Sequence, residues 1–223
     1  MKKIYLLLTL MLSSVALSLN AQSDELSVGL RAGDNSTFGG FAAVSVETFQ
    51  NIVKDFNIRG GVQYNTIGKT TLDARPSYIM DFQWGNLSAD MVVTYMNLAS
   101  VNSFAAGAGA GFNIGRVGLK LGYYYRLYGG NGNKITEPFN IYYELCLHLL
   151  QKIEKWDMHL SITNKELFEL ERHFQPSFIA ECIHFPNSRI GIAFGIGCKP
   201  AGMFNMSADY YQSYLKTGLC YRW

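Results

Sequence analysis

His159-Leu160-Ser161 is the stretch of this chain closest to nucleophilic chemistry. On a strand, residues two apart share a face, so the imidazole and the hydroxyl would be neighbours. A histidine that takes the serine proton makes that oxygen a nucleophile. Asp157, Glu166, Glu169 or Glu171 would supply the carboxylate that orients the ring. Other chemistry is thinner. Gly107-Ala108-Gly109-Ala110-Gly111 has the glycine density of a phosphate-cradling loop, but Ile114 stands where the third glycine would fall, so the segment reads as a strand with small side chains on one face. The four cysteines show no ligand spacing and His148, His159, His173 and His184 are scattered, so neither a metal site nor a cofactor is expected. Cys182 should face a residue near Ile192 rather than Cys198, which argues against a disulfide. With a formal net charge of +2 and no basic block, the chain offers nucleic acid no footprint.

The elements that must carry these residues alternate with period two. Phe56, Ile58, Val62 and Tyr64 oppose Asn57, Arg59, Gln63 and Asn65, and Val117, Leu119, Leu121 and Tyr123 oppose Gly118, Lys120, Gly122 and Tyr124. Trp156, Met158, Leu160 and Ile162 do the same against Asp157, His159, Ser161 and Thr163, which puts the His159/Ser161 pair on the polar face. The pattern predicts strands over 25–33, 38–49, 55–65, 70–83, 86–97, 102–114, 116–128, 138–150, 155–164, 173–185, 188–202 and 208–223. That is about 12, with 10 to 14 compatible with the glycine-rich boundaries. Tight turns fall at 50–54, 82–86, 115–116, 151–155 and 186–188. The intervening connections include the longer ones: a flexible loop over 128–138, and 164–174, where Asn164 would cap a short helical turn.

Two features make hydrocarbon the expected solvent of the apolar faces. Tyr64, Trp84, Tyr95, Tyr125 and Trp156 recur towards strand ends, as interfacial aromatics do, and the opposite faces carry full charges. The start of the chain agrees. Lys2 and Lys3 precede an apolar run from Ile4 to Leu19 and a cleavage site after Ala21, so residues 1–21 read as a signal peptide that is removed and 22–223 as one barrel domain. No later apolar run is long enough for a membrane helix.

With leader, alternation and a terminal aromatic in place, the chain resembles the small outer-membrane β-barrel proteins of Gram-negative bacteria, and its Leu19-Asn20-Ala21-Gln22 leader end is similar to those common in the Bacteroidota. The resemblance implies an all-β fold, a transmembrane antiparallel up-and-down β-barrel in the outer membrane, in contact with its lipids. Leu219, Tyr221 and Trp223 end a segment similar to the C-terminal signal read by the barrel-assembly machinery. The His-x-Ser spacing is similar to that of outer-membrane phospholipase A and of lipid A deacylases. In those enzymes the pair faces lipid, whereas the phase here turns it into the lumen, and Ile162 replaces the asparagine that usually follows the serine.

The polar faces then line the lumen. Arg31, Arg59, Arg75, Lys120 and Arg126 are the candidate basic lining; Asp73, Glu144 and Asp157 are the acidic lining, with His159 among them. Across all the polar faces nine basic and seven acidic residues, Glu47, Glu181 and Lys216 among them, nearly cancel, which predicts a largely salt-bridged interior and a structural or small-solute channel role, with a weak preference for anions and a small polar solute as cargo. Two alternatives are a lipid-modifying hydrolase using Ser161 and His159, and a soluble periplasmic β-barrel binding protein. The small residues at Gly107, Gly109 and Gly111, and at Gly191, Gly195 and Gly197, would either border a narrow passage or make room for large side chains.

Overall fold

The computed structural model describes residues 24–36, 39–53, 55–98, 101–129, 139–153, 155–166, 169–170, 176–200 and 211–223. The leader 1–21, the loop glycines Gly130 and Gly132, and His173 lie outside these residues. The first six strands are β1 (Glu25–Asn35), β2 (Gly39–Val53), β3 (Phe56–Asn65), β4 (Lys69–Phe82), β5 (Gly85–Leu98) and β6 (Val101–Ile114). There follow β7 (Val117–Gly129), β8 (Phe139–Ile153), β9 (Trp156–Thr163), β10 (Lys165–Glu166) and β11 (Glu169–Leu170). The last three are β12 (Ser177–His184), β13 (Ile190–Lys199) and β14 (Gln212–Arg222).

Among the described residues, twelve of these strands form one closed antiparallel barrel in chain order, and β10 and β11 form a separate two-stranded ribbon. Closure is complete along the seam: β14 pairs with β1 from Glu25↔Arg222 to Asn35↔Gln212. A closed sheet leaves no unpaired backbone edge, which is the condition for crossing hydrocarbon with strands. Each predicted barrel strand is present, most with bounds within a few residues of those expected.

The turn chemistry follows the sequence. At the end of the barrel that holds the chain termini, β2/β3, β4/β5, β6/β7 and β8/β9 are joined by two-residue connections. Asp55, Lys155 and Gly115 take the left-handed conformation there, with φ of 66°, 75° and 57°, and such backbone suits the strand twist of a tight hairpin. The fifth short turn, 185–189, is closed by Asn187, whose Oδ1 accepts from the amides of Arg189 and Ile190. The opposite, loop end carries the other connections.

One element differs from expectation. Asn164 starts no helical turn. Its side-chain oxygen accepts from the amide of Tyr143, its amide group donates to the carbonyl of Ile141, and the chain continues into the β10/β11 ribbon. A residue that satisfies open backbone groups of the neighbouring β8 holds the connection extended, and that outcompetes the capping role its type suggests.

The barrel is inside out. Leu30, Leu215 and Leu219 are 58%, 66% and 61% exposed on the outer surface, while Thr71, Gln63 and Asn65 are buried within. In water this distribution would leave the apolar faces unpaid for; against lipid chains it costs nothing, because the outer wall is already in its preferred solvent. Stacked Phe82 and Trp84, stacked Tyr221 and Trp223, and Trp156 against His184 at 4.1 Å gather at the termini end. This is the amphipathic aromatic band expected where hydrocarbon meets water.

Candidate functional site

Inside the barrel lies a cavity of about 500 Å³. Among the described residues twelve charged side chains line it, six basic and six acidic: Arg31, Arg59, Arg75, Lys120, Lys216 and Arg222 against Glu25, Glu47, Asp90, Glu144, Asp157 and Glu181. His159 and Ser161 also border it, so the sequence phase of β9 holds and the pair faces the lumen.

Most of the charges are engaged with one another. Lys216 Nζ lies 2.9 Å from Glu181 and 3.7 Å from Glu47, Arg59 lies 3.4 Å from Glu47, and His159 Nε2 lies 3.2 Å from Glu181. The chain Arg59–Glu47–Lys216–Glu181–His159 thereby ties β3, β2, β14, β12 and β9 across the barrel seam. A second group sits on β4 and β5. Asp73 holds Arg75 through Nε at 2.9 Å and Nη2 at 3.2 Å and accepts from Thr94, while Asp90 accepts from Ser77 and Ser88 and faces Lys120 at 3.6 Å. The guanidinium fork of Arg75 meeting both carboxylate oxygens of Asp73 gives geometry as well as attraction. Near the termini end, Arg222 Nε bonds Glu25 at 2.9 Å and its guanidinium stacks 3.8 Å from the ring of Phe185.

The opposite part of the lumen is filled by aromatic rings. Tyr124 and Tyr142 pack with Val92 and Ala105 into the apolar cluster of the interior. Their space comes from the small residues of β6 and β7. A Cβ on Gly122 would lie 2.3 Å from Tyr142 Cζ, and one on Gly109 would meet the same ring. On the other side of the barrel Gly197 seats Tyr214, which also carries Arg31 over its face at 4.0 Å, and Gly191 seats Phe185. Gly109, Gly122, Gly191 and Gly197 thus serve as seats for large side chains from other parts of the wall, Tyr142 of β8 reaching across β7 to Gly109 of β6.

Seven of the nine predicted lining residues, Arg31, Arg59, Arg75, Lys120, Glu144, Asp157 and His159, border the cavity. Asp73 does not border it: its side chain is wholly buried beneath Arg75. Arg126 is also set apart from the lining, in register with buried Ala105. Sequence reasoning put Glu47, Glu181 and Lys216 among the lumen-facing charges without foreseeing that they meet as the core of the ion-pair chain. It also read His148 and His159 as separate, whereas they are direct cross-strand partners with ring centroids 5.9 Å apart. Irregularities on either side of Leu150 in β8 shift that hairpin's register.

The nucleophilic reading gains nothing from this geometry. Among the described residues no hydrogen bond joins Ser161 to His159, whose Nε2 is turned to Glu181. Alternation puts Cys146 and Cys220 inward and Cys182 and Cys198 outward; Cys220 borders the lumen, Cys198 is exposed, and Cys182 pairs opposite Phe194, two residues from the expected partner.

No family model matches this chain, and no curated protein matches it. Solved structures do. The translocator domain of the autotransporter NalP from Neisseria meningitidis is 12% identical, with a TM-score of 0.56, covering 96% of this chain and 94% of that one. The KdgM porin is 11% identical with a TM-score of 0.53, covering 87% and 98%. An outer membrane channel from Pseudomonas putida F1 is 9% identical with a TM-score of 0.53, covering 92% and 97%. At such identities the likeness speaks for architecture. The chain has the fold of the outer-membrane β-barrels.

Proposed function

We propose that this protein is an outer-membrane barrel that admits small polar solutes through a narrow, ion-paired lumen. The observation that carries the reading is the charged cavity inside a wall whose apolar face is turned outward. A merely structural barrel has no need to keep twelve charges around open space, since apolar packing would fill it at lower desolvation cost. Among the described lining residues cations and anions are equal in number, so selectivity rests on where the charges stand. In this reading residues 1–21 direct export and are removed, and the short turns face the periplasm. The segment ending in Leu219, Tyr221 and Trp223 is what the assembly machinery reads.

The test has two stages. A closed barrel migrates faster in SDS before boiling than after, and protein inserted into liposomes should then admit a small neutral sugar alcohol such as erythritol faster than empty liposomes do. A heat-dependent shift without solute entry would leave a structural barrel and overturn the passage. Absence of both, with the protein recovered in the soluble periplasmic fraction, would overturn the membrane reading itself.

A further inference from the structure

The charges that line the cavity are sorted by wall. Going round the barrel, β14, β1, β3 and β4 carry Lys216, Arg222, Arg31, Arg59 and Arg75, five of the six lining cations, against Glu25 and Glu47 on β1 and β2. The remaining arc, β5 to β12, carries Asp90, Glu144, Asp157 and Glu181 against Lys120 alone. With twelve strands in the ring, β3 stands across the lumen from β9 and β2 from β8. Arg59 therefore looks towards the arc of Asp157 and Glu144.

Local pairing reduces this sorting without abolishing it: Arg59 is held by Glu47, Arg75 by buried Asp73 and Arg222 by Glu25, so that five cations stand against three carboxylates on this side. Arg59 is the direct cross-strand partner of Arg75, and Arg31 that of Lys216. Like charges set opposite each other on one face oppose folding, and two such pairs on adjoining strands concentrate positive charge where alternation of sign would have dispersed it. On the facing arc, Glu144 and Asp157 make no ion pair or hydrogen bond among the described residues, although Glu144 is in register with Lys120, whose ammonium turns to Asp90 instead. A low-dielectric wall around a narrow aqueous space focuses the field between such arcs.

The geometry points to a lumen that prefers zwitterionic solutes, with the anionic end drawn to the Arg59/Arg75 wall and the cationic end to Glu144 and Asp157. A singly charged solute is attracted by one wall and repelled by the other. A neutral one gains little. A solute with separated opposite charges is favoured by both walls at once, provided it aligns across the passage.

This inference rests on the proposed passage, and the experiment separates the two. The purified full-length mature protein is placed in liposomes and swelling is measured with 4-aminobutyrate, a zwitterion, and with erythritol, a neutral solute of similar size. The expected result is a several-fold faster entry of 4-aminobutyrate, lost in the double variant Glu144→Gln/Asp157→Asn, whose KCl reversal potential moves towards anion selectivity. Arg59→Gln, on the opposite wall, should reduce the preference and move the reversal potential towards cations, which checks the field even if the double variant fails to form a heat-shifting barrel. Equal entry of the two solutes through the native protein, or a preference that survives the removal of both carboxylates, would overturn the zwitterion inference and leave the passage standing. Entry of neither solute would overturn both.

Discussion

The two halves of the lumen are built by different physics. Along β5 to β8 a packing of Val92, Ala105, Tyr124 and Tyr142 on glycine seats fills part of the interior, beside the cavity-lining Asp90, Lys120 and Glu144. From β9 through the seam to β3 it is a chain of ion pairs, whose members Arg59 and Lys216 remain partly exposed to the cavity, with side-chain exposures of 54% and 21%. The first half is rigid because rings have one place to lie. The second keeps its charges within reach of water, which lowers their desolvation cost and keeps the space beside them open. A barrel filled by tyrosines all round would be a plug; one lined by charges all round would lack a packed interior to hold its shape.

The comparison breaks most sharply at Tyr142. Tyr142→Ala should cost about 3–5 kcal/mol, the usual range for removing a large buried aromatic, and should widen the passage on that side. Denaturant unfolding in micelles would show the loss, and faster erythritol entry would show the widening; a stability loss with unchanged entry would separate the tyrosine wall from the passage. Gly122→Ala attacks the same contact from the other side. A methyl group 2.3 Å from the Tyr142 ring should cost up to about 3 kcal/mol by overpacking, without opening the lumen, as read by the unfolding midpoint at unchanged solute entry.

The charged half should respond more weakly. Lys216→Met leaves Glu47 and Glu181 facing the cavity without their shared cation; because the site is partly hydrated, the expected loss is about 2 kcal/mol, between the exposed and the buried extremes. Its single-channel selectivity should shift towards cations. The smallest effect belongs to the rim. Arg222→Gln removes the Glu25 pair and the stack on Phe185, and should lower stability by less than about 1 kcal/mol in the same unfolding assay.

Alternation makes the wall readable in the sequence. The β9 residues Trp156, Met158, Leu160 and Ile162 left no choice of face for Asp157, His159 and Ser161, and counting the alternating segments gave twelve strands, with the tight turns at Gly115-Arg116 and 186–188 on one side. The i, i+2 pair Asp73 and Arg75 was equally open to view, as strand neighbours on one face. Lys216 and Glu47 were not. They are 169 positions apart along the chain and meet because β14 closes on β1 and β1 on β2. His148 and His159 escaped for a local reason: the β8 irregularities change the hairpin register by single residues, and periodicity carries no trace of that until pairing is known. The capping residue Asn164 misled because its type permits either role, and the open backbone groups of β8 decided between them.

What the sequence determined by itself is the solvent on each face and the approximate place of each barrel strand, since period-two hydrophobicity is a property of neighbours in the chain. What only the tertiary structure decided is which charges neutralise one another, which glycines receive which rings, and that the lumen's cations and carboxylates stand on facing arcs. Those depend on closure and register, and a ring of twelve strands brings together side chains whose separation along the chain says nothing about their distance in space.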